Sequence, residues 1–231
     1  MKIISTVAKW LFIFGMPILL LSGSIAAAIN SAWWYRYEFE KNGISQVTGL
    51  SPAELDKAAT GLISYFNSGE EYISLTVTKD GQPFPLFNER EIVHLKDVRT
   101  LFWLDYRLLA GTLAYALIYA GFALWRRNKR QLASALVWGS GLTLALMLAL
   151  GVGALFDFDQ LFIQFHLLSF SNDFWQLDPA RDYLIMLVPQ GFWYDTFFFI
   201  AAGTAAMAAA LGGVGWYLRQ KRDPDATASP D

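Results

Sequence analysis

The chain of 231 residues has no cysteine, which excludes disulfides, cysteine-ligated zinc or iron–sulfur sites and a thiol nucleophile together. The lack says nothing about compartment, since an exported protein can do without cysteine. Charge is also scarce: Asp, Glu, Lys and Arg make up 16% of the residues, against about 25% in an ordinary soluble domain. The net charge of −2 leaves no basic excess for a nucleic-acid partner. Histidine occurs twice, as His94 and His166. There is no HExxH pair, GxSxG elbow, Walker loop or dinucleotide fingerprint, and Ser169 and Ser171 have no triad context. No internal repeat is visible.

What is present is apolar: 55% hydrophobic residues, 16% of the chain aromatic. A bilayer core of roughly 30 Å needs about 20 consecutive apolar residues in a helix. Trp10–Ile29, Leu108–Trp125 and Leu132–Phe156 meet that requirement, and Phe192–Leu218 does so with Asp195 near its start. We therefore expect a mainly α, polytopic membrane protein with four transmembrane helices, at about 10–30, 106–126, 131–156 and 192–218, and a small α+β extracytoplasmic cap. Residues 1–222 read as a single membrane domain, and the Pro-, Ala-, Ser- and Thr-containing tail 223–231 as disordered. Lys2, Lys9 and the Ala26-Ala27-Ala28 run also fit a cleaved signal peptide. Retention is the better reading, because the apolar run exceeds a signal core and Trp33, Trp34 and Tyr35 follow it as an interfacial belt. Arg126, Arg127, Lys129 and Arg130 between the second and third spans, and Arg219, Lys221 and Arg222 after the fourth, place both termini in the cytoplasm. Loops 31–105 and 157–191 then face outward.

The first outer loop carries folding signals of its own. Ser51-Pro52-Ala53-Glu54 is a capping box with proline at the first helical position, opening a helix to about Asn67. Glu71–Thr78, the turn Lys79-Asp80-Gly81 and Phe84–Phe87 predict a hairpin. Asn88 then caps a helix, with Glu91 at its third position, that runs into the second span. On that helix Glu91, His94 and Asp97 share one side. A histidine flanked by carboxylates suits a general base, but Glu91 as a mere cap and His94 as a surface residue remain an alternative.

In the second outer loop, Leu161–Phe170 is almost wholly apolar and too short to span, which predicts an interfacial or dipping segment. It holds His166 and is followed by Asn172, Asp173, Asp178 and Asp182. Asp178-Pro179-Ala180-Arg181 reads as a cap and first turn. Asn172 and Asp173 have no such local use, and ionisable residues at membrane depth are costly enough to mark a functional site. A buried histidine satisfied by a backbone carbonyl is the alternative for His166. A site shared by both histidines is the economical reading. The inventory leaves histidine–carboxylate acid–base chemistry at the outer membrane boundary, or a zinc site built from His94, His166 and a carboxylate.

Two stretches carry a family resemblance. Phe87-Asn88-Glu89-Arg90-Glu91 with His94 and Asp97-Val98-Arg99 is similar to the first signature of the bacterial lipoprotein intramolecular transacylases and their uncharacterised membrane relatives. Phe165-His166, Asn172-Asp173, Trp175, Leu177-Asp178-Pro179, Asp182, Leu184-Ile185, Pro189 and Asp195 resemble the second. The match covers about a third of the chain, and Leu95 and Arg99 stand where the family has methionine and lysine. The resemblance implies an acyltransferase of the bacterial cell membrane, facing outward, that moves an acyl chain from the glyceryl group of a diacylated lipoprotein to the amine of its N-terminal cysteine. The implied partners are that lipoprotein and membrane lipid, with no cofactor and no metal. It implies His94 and His166 as an acid–base pair and Asp97 and Asp173 as orienting groups. Asn172 would bind the carbonyl oxygen or hold a histidine, and Glu91, Arg99, Trp175, Asp178, Asp182 and Tyr183 would border the substrate. A non-enzymatic membrane protein whose cap binds a partner or lipid, and a metal-dependent membrane hydrolase, are the competing classes.

Overall fold

The computed structural model describes residues 2–220, so the tail read as disordered lies outside the described residues. The elements run α1 (Lys2–Ile29), α2 (Ala32–Lys41), α3 (Ile44–Thr48), α4 (Pro52–Asn67), β1 (Thr76–Lys79), β2 (Gln82–Pro85), α5 (Glu89–Trp125), α6 (Lys129–Ser169), α7 (Tyr183–Leu187) and α8 (Gln190–Gln220). Four of them, α1, α5, α6 and α8, are long and apolar enough to cross a membrane. The chain is thus mainly helical, with four membrane-length helices and a two-stranded sheet. It divides into two compact units.

The first unit comprises the residues up to Ser24, Arg107–Val152 and those from Ala201 on. Its interior is Phe12, Ile13, Met16, Leu20, Tyr119, Leu132 and small residues such as Ala135 and Ala208. In lipid the drive for helices to associate comes from close packing and hydrogen bonds, not from burying oil in oil. Both devices are present. A Cβ at Gly215 would stand 2.8 Å from Leu136 Cβ and 3.0 Å from the Ala133 carbonyl oxygen, so only glycine permits this approach. Thr204 donates to Ser24 at 2.9 Å, and Tyr115 donates to the Ala8 carbonyl at 2.7 Å.

The second unit comprises Ile25–Tyr106 and Gly153–Ile200. Ser51 caps α4 by accepting from the Glu54 N–H, with Pro52 at the first position. The Glu54 carboxylate accepts from the Thr78 N–H at 3.0 Å, which ties α4 to β1. The first strand is shorter than the sequence predicts and the second starts two residues earlier, pairing Thr76 with Pro85 through Lys79 with Gln82, and Asp80 and Gly81 turn with φ of 52° and 76°. Two positive φ values are what a tight hairpin demands, and Asp-Gly supplies them at low cost. The α5 start is a reciprocal capping box: Glu91 N–H donates to Asn88 Oδ1, and Asn88 N–H donates to the Glu91 carboxylate. Trp34, Tyr35, Ile44, Leu62, Phe66, Val77, Leu95, Leu187 and Phe192 build the core of this unit.

Two parts of the stretch 157–191 differ from a loop. Residues 158–169 continue α6 as helix beyond a break at Asp157, whose φ of −158° is extended. Asp157 Oδ1 accepts from the Gln160 N–H at 3.0 Å and so restarts the helix as a new N-cap. Asp178 opens only a turn, accepting from the Ala180 N–H at 2.9 Å, and the following short helix α7 begins five residues later at Tyr183.

Candidate active site

His94 lies on the second turn of α5, and His166 near the end of α6. Both are buried, with ring centroids 6.1 Å apart and planes inclined by 31°. They line one cavity of about 150 Å³ within the second unit, walled by Phe162, Phe165, Phe170, Trp175, Leu184 and Phe192 among others. His166 Nδ1 is 2.7 Å from the Phe162 carbonyl oxygen. A carbonyl only accepts, so Nδ1 carries the hydrogen and Nε2 of the neutral ring keeps its lone pair. The Phe162, Trp175 and Phe165 rings pack around it at 4.3, 4.9 and 5.4 Å between centroids. His94 stands edge-on to Phe170 at 5.1 Å, and its Nδ1 has no partner among the described residues.

The other residues singled out in the sequence are distributed around this pair. Asp97 Oδ2 accepts from Asn172 Nδ2 at 2.8 Å, and Asn172 Oδ1 accepts from the Phe174 N–H. The Asp173 carbonyl accepts from Arg90, and its carboxylate accepts from Gln176. Glu91 is fully buried and accepts from the Leu184 N–H at 2.6 Å as well as from Asn88. Asp182 accepts from Asn88 Nδ2 and from the Asp178 N–H. Arg99 donates to the Ser68 carbonyl and lies over the Tyr65 ring. Tyr183 packs on Phe84, with Lys79 near its hydroxyl. His94, His166 and Trp175 therefore line the cavity, Asp97 and Asn172 join each other, and the remaining six bond elsewhere in the cap.

Sequence reasoning passed over several groups. Tyr35, Leu62 and Phe66 reach the cavity from α2 and α4, with no signal beyond ordinary core periodicity. The Phe162 carbonyl is a backbone group and invisible to a motif. Glu38 was findable, because it falls on the buried stripe of Trp34, Tyr35 and Phe39. It accepts from Asn42, and its Oε1 has no hydrogen-bond partner among the described residues. Burial, with the nearby Asp195 second, pushes its carboxyl above the ordinary range. Among the described residues no three His, Asp or Glu side chains are grouped to hold a metal ion.

The family model described as lipoprotein intramolecular transacylase Lit matches residues 10–193. The solved in meso structure of the membrane integral lipoprotein intramolecular transacylase Lit from Bacillus cereus shares the fold. Its TM-score is 0.83 at 21% identity, over 94% of this chain and 97% of that one. Two further structures of the Bacillus cereus protein, with a histidine replaced by arginine or by alanine, each align with a TM-score of 0.76 at 19% identity. They cover 94% of this chain and 92% and 94% of theirs. None of the curated proteins compared matches the chain. With the family model spanning most of the chain and the fold shared throughout, the protein belongs to the lipoprotein intramolecular transacylase family.

Proposed function

We propose that the His94–His166 pair performs the acyl transfer of this lipoprotein intramolecular transacylase. The substrate is a diacylated bacterial lipoprotein, and the acyl chain passes from its glyceryl ester to the amine of its N-terminal cysteine. The observation that carries the assignment is the pair facing one apolar cavity with the His166 Nε2 lone pair free of the Phe162 bond.

The chemistry follows from those two rings. The amine nitrogen attacks the ester carbonyl carbon while its proton passes to His166 Nε2. An N–H of His94 stabilises the oxyanion of the tetrahedral intermediate. Collapse forms the amide, breaks the carbon–oxygen bond to glycerol, and returns the proton from His166 to the departing glyceryl oxygen. Both reacting groups belong to one molecule, so proximity supplies much of the acceleration and no serine or cysteine nucleophile is needed. The aromatic walls keep water from competing for the ester. Exposed Phe165 and Leu168 border the cavity's helix as an apolar entry for the acyl chain from lipid. The positively charged flanks support a cytoplasmic position for both termini and an outward-facing site.

Mass spectrometry of a reporter lipoprotein's N-terminal peptide, from cells with and without the protein, tests the reaction. The acyl group is expected on nitrogen only when the protein is present, and retention on glycerol in both overturns the reading. His166→Ala and His94→Ala are each expected to slow transfer on the order of 100- to 10,000-fold. Full transfer in both variants removes the site assignment while leaving the reaction standing.

A further inference from the structure

Glu91, His94 and Asp97 follow one another at intervals of three on α5, so the two carboxylates bracket the histidine on one helix side. Neither is hydrogen-bonded to an imidazole. The Glu91 oxygens accept from Leu184 and Asn88, and Asp97 accepts from Asn172. Residues 172 and 184 are the two ends of the segment that arches past His166. Glu91 therefore holds one end of this segment to α5 and Asp97 holds the other, by bonds of 2.6 and 2.8 Å. Between them the segment presents Trp175 to the His166 ring at 4.9 Å and Leu177 to the cavity. Asn172 is three residues from Trp175, and its Oδ1 fixes the intervening turn through the Phe174 N–H at 3.1 Å.

We propose that the Asp97–Asn172 bond is a latch that holds Trp175 against His166 and so positions the His166 imidazole for proton transfer. Asp97 is on this account a positioning residue acting through Asn172, and Asn172 is a donor to Asp97 and not to the substrate oxygen. The proposal rests on the histidine-pair reading above. It requires only that donor and acceptor face each other, whichever residue supplies which. With the amide at position 172 the carboxylate at position 97 accepts; with the two exchanged, the amide at 97 donates to the carboxylate at 172, and the latch closes again.

The test uses the full-length protein with a synthetic diacylglyceryl lipopeptide bearing a free N-terminal cysteine amine. Asn172→Asp sets two carboxylates against each other. It is expected to lower kcat on the order of 100-fold, the cost of a small misplacement, with KM within about twofold. Asp97→Asn is expected to lose less, because its amide oxygen still accepts. The double variant Asp97→Asn/Asn172→Asp is expected to recover most of what Asn172→Asp loses. A double variant no faster than Asn172→Asp overturns the latch, as does a single Asn172→Asp at parental kcat. Should Asn172→Asp fail to fold, Asn172→Ala is read in its place: lowered kcat at unchanged KM supports the latch, and parental kcat overturns it. His94→Ala and His166→Ala measured alongside separate the two claims, since their full activity removes the histidine pair whereas failed recovery in the exchanged variant removes only the latch.

Discussion

A buried carboxyl whose neighbouring cation is bonded to another acid is an electrostatic burden, and Glu38 is such a residue. It is fully buried on α2, with Asn42 as hydrogen-bond donor and Asp195 nearby, and Lys41 engaged with Asp195. Its carboxyl is raised above the ordinary value, so the folded protein holds this proton more tightly than the unfolded chain does. The stabilisation from that proton is complete below the unfolded carboxylate value, about 4.3, and is lost as pH rises through the raised folded value. Glu38→Gln keeps an acceptor for Asn42 and removes the ionisation. It is expected to raise Tm by about 2–4 °C near pH 8, with the advantage shrinking as pH falls toward about 5. Thermal unfolding in one detergent across that pH range checks this, and a variant less stable than the parent at every pH contradicts it. At this same scale His94 and His166 were visible as the chain's two histidines. The free Nε2 of His166 was not visible, because a backbone carbonyl one helical turn earlier decides it.

At the scale of elements, the signals that read correctly are those that act within a few residues. The Asn88–Glu91 capping box, the Ser51–Pro52 helix start and the Asp80–Gly81 turn all form where the sequence places them. Each is satisfied by its own backbone neighbours. Asp178-Pro179 looked like another helix start and yields only a turn. The Asp182 carboxylate accepts from the Asp178 N–H and from Asn88, and the Asp182 backbone is extended, with φ −93° and ψ 115°, so the turn does not run on into a helix. Helix packing is equally opaque to pattern. Of Gly139, Gly141, Gly151 and Gly153 on α6, Gly139 alone has an atom closer than 3 Å to a would-be Cβ, Met16 Sδ at 2.9 Å. Gly215 is the tighter contact, against Leu136 and the Ala133 backbone, while Gly213 meets nothing within 4 Å. Gly215→Ala is therefore expected to destabilise the protein by about 1–3 kcal/mol, the usual cost of overpacking, and Gly213→Ala to leave Tm unchanged. Comparing the two Tm values in the same detergent decides it; equal values contradict the packing.

For the whole molecule, the absence of cysteine offers a clean reading of the proposed orientation. A single cysteine at Glu70, exposed in the cap, is expected to react with a membrane-impermeant thiol reagent in intact cells. One at Lys129, the first residue of α6, is expected to react only after the membrane is opened. The reverse pattern overturns the orientation. Membrane helices are legible in sequence because the bilayer demands uninterrupted apolar length, and length is a local property of the chain. The two signature stretches were legible as chemistry out of place: carboxylates and histidines beside phenylalanines. By itself the sequence determined four membrane-length helices, a small capped region between them, and the histidines and acids on which a site could be built. Only tertiary structure decided that the two imidazoles face each other at 6.1 Å, and that Asp97 and Glu91 bind the 172–184 segment and not the histidine between them. The physical reason is that a side chain's periodicity records which face of its helix is buried. Its hydrogen-bond partner is chosen among all donors that burial brings within reach, and those come from residues far away in the chain.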